Sequence, residues 1–186
     1  MKANEFVTLA LLAVGGEIKG KTKLQKTVYF LGIMTDCLEE LGYRPWFYGP
    51  YSDDVEAALT WAKTIGTVDQ NVSARGFDQS GFEVRRYDFR LNEQGTRFAE
   101  AKARENPEAW QRIQDAARRL NEAGDLDYMD MSIAAKTYFL LGRKQAPTRL
   151  ADLAEIAPQF GWNVSATQVQ RAAEYLSKLH IVRILN

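Results

Sequence analysis

Apolar positions recur at spacings of three and four along most of this chain, the period of helices that bury one face. Ala3 to Ala13 reads as a short helix closed by Gly15-Gly16. Thr22 then looks like an N-cap, with Gln25 three residues later in the capping-box position. Leu24, Val28, Leu31, Thr35, Leu38 and Leu41 continue the pattern, which predicts one helix up to Gly42. Tyr29, Phe30, Ile33 and Cys37 fill further positions, so that helix is apolar on most sides and belongs at the centre of its domain.

Ser52 can cap a next helix from Asp53 to about Ile65. Val55, Leu59, Ala62 and Ile65 form its stripe, and Asp53, Asp54 and Glu56 suit the positive end of its dipole. Two strands follow, near Thr67 to Ser73 and from Phe82 to Leu91. Arg75 to Gly81 between them has the composition of a hairpin tip. Asn92 starts a helix to about Arg104, and Asn106-Pro107 marks a break. Glu108 to Ala123 is a polar helix that Gly124 ends. Beyond Asp130 the pattern predicts helices over Ser132 to Leu141 and Arg149 to Phe160, then one capped by Ser165 that carries Val169, Ala172, Ala173, Leu176 and Leu179. Ile181 to Leu185 reads as a final strand.

This order predicts a mainly α protein with small β-ribbons, an α+β chain of tandem winged-helix-like modules. The expected units are a winged-helix-like domain over 1–105, a polar linker helix over 106–130 and a second helix-turn-helix-like domain over 131–186.

Charge narrows the function. Lysine and arginine total 24 against 24 acids, so the net charge is zero and any nucleic-acid binding must use a local patch. The charge alternates along the chain. Lys19 to Lys26 carries four lysines and no acid, whereas Glu105 to Asp130 carries seven acids and three arginines. Cys37 is the single cysteine, which rules out an internal disulfide and points to a reducing cytoplasm. No apolar run approaches the roughly 18 residues of a membrane span. Phe6 to Val14 lacks the flanks of a signal peptide, with Glu5 against it.

Gly15 to Thr22 formally satisfies the phosphate-loop pattern G-x-x-x-x-G-K-[ST]. The remainder of the chain does not alternate strands and helices as a nucleotide hydrolase requires, so the segment reads as a helix end and a loop into the next helix. Lys19, Lys21, Lys23 and Lys26 are nonetheless unusual at a helix start, where cations oppose the dipole. With the free amides there they form a candidate anion or nucleic-acid site. Gln168, Gln170 and Arg171 open the last long helix and could read base edges. The acids of Asp53, Asp54 and Glu56 make the earlier helix a poor reader.

Tyr43, Trp46, Phe47, Tyr48 and Tyr51 crowd one loop. They read first as packing, and otherwise as a surface that stacks on bases or grips a partner, with Trp46, Tyr48 and Tyr51 as its candidate contacts. Asp125, Asp127 and Asp130 lack the glycine and glutamate of a calcium loop and read as helix caps. No nucleophile pattern surrounds the lone His180, and no catalytic residues, metal or cofactor are expected.

The run Gly20-Lys21-Thr22-Lys23-Leu24-Gln25-Lys26, then Val28-Tyr29, then Phe47-Tyr48-Gly49-Pro50-Tyr51-Ser52 resembles the YwgA-like family. It is similar to the broader Panacea (SocA-like) domain, found as the antitoxin of many toxin–antitoxin pairs and in phage-associated proteins. The similarity runs over residues 15 to 65 and, more weakly, to about 100. It implies a non-enzymatic helical or winged-helix module that binds another macromolecule. The expectation is a cytoplasmic regulator binding DNA or a partner protein, or alternatively an antitoxin or phage-defence component neutralising a toxin by contact. A homodimer is compatible with this reading and a membrane is not.

Overall fold

The computed structural model describes residues 1–77, 83–144 and 147–185. Over these the chain is mostly helical with one small antiparallel sheet, an α+β fold. Helix α1 (Ala3–Ala13) leads into strand β1 (Glu17–Lys19) and helix α2 (Lys21–Met34). A 3-10 turn (Glu39–Leu41) precedes α3 (Asp53–Thr64). The ribbon β2 (Val68–Phe77) and β3 (Glu83–Leu91) is followed by α4 (Glu93–Glu105) and α5 (Pro107–Glu122). Then come α6 (Tyr128–Gly142), α7 (Leu150–Ile156) with a 3-10 extension (Ala157–Phe160), and α8 (Ala166–Lys178).

The sheet has the order β1-β3-β2. Strand β1 sets Ile18 opposite Phe89, and both side chains are buried. The pattern along the sequence does not announce β1, because three residues are too few to display an alternation. Of the expected hairpin tip, Arg75 to Phe77 belong to β2, and residues 78–81 lie outside the described residues.

Four of the expected side-chain caps form, at Ser52, Asn92, Asp127 and Ser165, whereas Asp125 pairs with Lys23 and Asp130 lies inside the first turn of α6. Val55 N donates to Ser52 Oγ at 2.9 Å, and Gly95 N donates to Asn92 Oδ1 at 2.9 Å. Asp127 Oδ1 accepts from Met129 N and Asp130 N, each at 2.8 Å, and Ser165 with Gln168 forms a full capping box on α8.

Three expectations are corrected. Thr22 is not an N-cap; it lies inside α2, whose N-cap is Gly20 and has no side-chain cap. Helix α2 does not reach Leu41, because it stops at Met34 in a Schellman motif. Asp36 takes a left-handed φ of 59°, Cys37 N donates to Gly32 O at 2.8 Å and Asp36 N donates to Ile33 O. The 3-10 turn then folds back onto α2 so closely that a Cβ on Gly32 would stand 2.8 Å from Leu41 Cδ1. Ile181 to Leu185 forms no strand. His180, exposed and at φ 59°, ends α8 by the same device, with Ile181 N donating to Leu176 O.

Two buried clusters organise the interior. The first gathers Phe6, Leu9, Leu24, Val28, Leu31, Leu59, Phe89 and Ile113 from α1 to α5. The second gathers Tyr29, Phe30, Met131, Leu140, Leu153, Trp162 and Leu176. Helix α2 therefore serves both, one face to each. Among the described residues no helix is long and apolar enough to cross a membrane.

Candidate functional site

The start of α2 and the Tyr48-Gly49-Pro50-Tyr51-Ser52 turn clasp each other. Gln25 is buried and pairs with Ser52 as a strand backbone would. Its Nε2 donates to Ser52 O at 3.0 Å, and its Oε1 accepts from Ser52 N at 3.1 Å. Lys26 Nζ donates to Pro50 O at 2.6 Å, and Tyr43 Oη donates to Gln25 O at 2.7 Å. Arg44 and Tyr51 exchange two backbone hydrogen bonds across the turn, at 2.9 and 2.8 Å. Ser52 Oγ also donates to Leu41 O. From the other side, Trp162 Nε1 donates to Trp46 O at 2.6 Å. Gly49, at φ 92°, lies against α6, where a Cβ would stand 3.1 Å from Lys136 Cγ and 3.3 Å from Ser132 O.

The backbone of this turn is thus fixed by α2, α6 and Trp162, yet its aromatic side chains face outward. Phe47 is 74% exposed, Tyr48 54% and Trp46 45%. Of the five aromatics expected to pack, Tyr43 does so, meeting Tyr29 edge-on at 4.9 Å between centroids. Trp46, Phe47 and Tyr48 do not. Trp46 is oriented by the Arg44 guanidinium 4.7 Å above its ring and by Phe47 at 5.2 Å.

Between the turn and α2 lies a cleft of about 430 Å³, floored by Gln25 and Lys26 and walled by Lys21, Thr22, Arg44, Trp46, Tyr48 and Tyr51. Its outer cations are paired: Lys21 with Glu56 and Arg44 with Asp53, both at 2.8 Å. Lys26 is 1% exposed and has no acid partner among the described residues. Burial, and then the neighbouring Lys136 charge, lowers its pKa to about 7. Burial also lowers that of Lys136. Burial, with Glu56 beside it, raises the Tyr51 phenol.

The sequence-predicted residues separate into three places. Lys21, Lys26, Trp46, Tyr48 and Tyr51, expected as two sites, share this one cleft. Lys19 and Lys23 instead line a second cavity of about 740 Å³ against α5, α6 and α8, where Lys23 pairs with Asp125. Gln168, Gln170 and Arg171 are exposed on α8 and line neither cavity. Gln168 is engaged in the capping box, and Gln170 Nε2 donates to Glu174 at 2.9 Å. The phosphate-loop pattern has α1 where that motif needs a strand, and β1 occupies its middle.

No family model matches this chain, and no curated protein or solved structure resembles it significantly.

Sequence reasoning missed Arg44, Lys136 and Trp162. Arg44 stands at the edge of the turn motif but carries no signal of its own, and Trp162, far off in sequence, reaches the turn only through the second core. Gln25 carried a signal that was read for the wrong partner, a helix cap instead of the Ser52 backbone.

Proposed function

We propose that this protein is a non-enzymatic regulatory module that binds a partner protein through the cleft between α2 and the 44–51 turn. The observation that carries the reading is the exposure of Trp46, Phe47 and Tyr48 on a backbone held from three sides. Aromatics presented on a rigid support lose little entropy on binding, the usual make-up of an interface hot spot. The α1-β1-α2-α3-β2-β3 order, with sheet order β1-β3-β2, supports a winged-helix-like reading of the first unit. The likeness of the two clasping motifs to the YwgA-like and Panacea domains fits a partner that is a toxin, with the chain as its antitoxin.

DNA binding is the second reading, favoured by one observation. Arg171 is exposed on α8 beside the capped helix start and has no ion pair among the described residues. Against it, α3 begins with exposed Asp53 and Asp54, which repel phosphates.

The test compares the purified wild type with Trp46→Ala/Tyr48→Ala and with Arg171→Ala. Partner co-purification from the native host should be lost in the aromatic pair while the melting temperature holds, and duplex DNA should not bind even at low salt. Low-salt DNA binding that Arg171→Ala abolishes and the aromatic pair leaves intact would replace the first reading by the second.

A further inference from the structure

The charge balance of the cleft is incomplete. Lys21 and Arg44 at its mouth are each neutralised by Glu56 and Asp53. Lys26 at its floor is not, and a single backbone carbonyl accepts from an ammonium that carries three donors. Lys136 adds a second cation with no acid partner among the described residues, beyond Gly49 and over the ring of Trp162. A buried ammonium without a counter-charge is a cost to folding that a methionine of similar length would avoid. Its place at the floor of a cavity walled by Trp46, Tyr48 and Tyr51 gives that charge an outward use.

Taking the cleft as the partner site proposed above, we infer that it receives an aspartate or glutamate side chain from an acidic segment of the partner protein. Lys26 is the buried counter-charge for that carboxylate, and Trp46 and Tyr48 cover the apolar residues flanking it. The carboxylate carries one negative charge, matching Lys26, the uncompensated ammonium that lines the cleft; Lys136 stands behind Gly49 and does not line it. A phosphopeptide would bring nearly two charges, and a nucleic-acid backbone a row of single ones, past Asp53 and Glu56.

Selection of a random dodecapeptide phage library on the full-length folded protein tests this. The enriched peptides should share an acidic residue at one fixed position next to apolar ones. Glu→Gln at that position should weaken wild-type binding by about tenfold or more, the scale of a lost buried charge pair. The same change should matter little to Lys26→Met and to the milder Lys26→Gln, and a Glu→Gln loss as large in either variant as in the wild type would overturn Lys26 as the counter-charge. Enriched peptides that need Trp46 and Tyr48 but tolerate Glu→Gln would overturn the carboxylate and leave the docking cleft standing. Absence of any enriched peptide that Trp46→Ala weakens would overturn both.

Discussion

Lys26 makes stability depend on pH in an unusual direction. Its folded pKa, about 7, lies below the 10.5 of a free lysine, so between these values the unfolded chain binds more protons. Stability should therefore rise with pH from about 7 towards 9.5. The charged groups facing it are Lys136 from α6 and, around the same cleft, Lys21 from α2, Arg44 from the turn and Asp53 from α3, with the neutral Tyr51 phenol beside them. Of these, Lys136 is shifted in the same sense. Above about 10 the trend reverses, because burial raises the phenols of Tyr29, Tyr43 and Tyr175 and the folded state keeps their protons. Urea unfolding at pH 7 and 9.5 should show a gain on the order of a few kcal/mol. Lys26→Met should remove most of it, and an unchanged slope would mean that the lysine is hydrated in the folded chain. A second residue acts by sterics alone. A Cβ on Gly95 would stand 1.9 Å from Thr67 O, a backbone atom that cannot swing aside. Gly95→Ala, ordinarily favourable in a helix, should instead destabilise by at least about 2 kcal/mol in chemical denaturation.

Among the elements, those that carried both a period and a local cap were legible. Helices α3, α4 and α8 start where Ser52, Asn92 and Ser165 announce them. What escaped was decided by backbone conformations without a residue signature. The apolar period continues through Leu38 and Leu41, but the helix breaks at Asp36 because an aspartate adopts the left-handed conformation usually given to glycine. His180 does the same after α8. Half the site was legible for the opposite reason: the K-L-Q-K start and the Y-G-P turn are each compact motifs, although only the fold shows that they hold one another. The break at Asp36 predicts a contrast. Asp36→Gly should be neutral or slightly stabilising, whereas Asp36→Val should cost about 1–2 kcal/mol, since a β-branched residue resists positive φ. Under the uninterrupted helix that the period suggests, valine would be the better tolerated of the two, so thermal melts of the pair discriminate directly.

At the scale of the whole molecule, α2 is the shared member. Leu24, Val28 and Leu31 enter one core, while Tyr29 and Phe30, from the same turns, enter the other. Trp162 from the second core also fixes the Trp46 carbonyl, and Lys23 from α2 pairs with Asp125 ahead of α6. A helix cannot melt on one face only. Loss of either core removes one side of α2's support and loosens the aromatic turn that α2 and Trp162 hold together. Cooperative unfolding in a single transition is therefore expected, with far-UV circular dichroism and tryptophan fluorescence giving the same midpoint. Phe30→Ala, at a fully buried position of the second core, should lower stability by about 3–5 kcal/mol. It should shift both probes together even though the sheet and α1 lie in the first core. Two separated midpoints, with only one moved by Phe30→Ala, would mean that the second core unfolds on its own and that the cleft between α2 and the turn can open without the first.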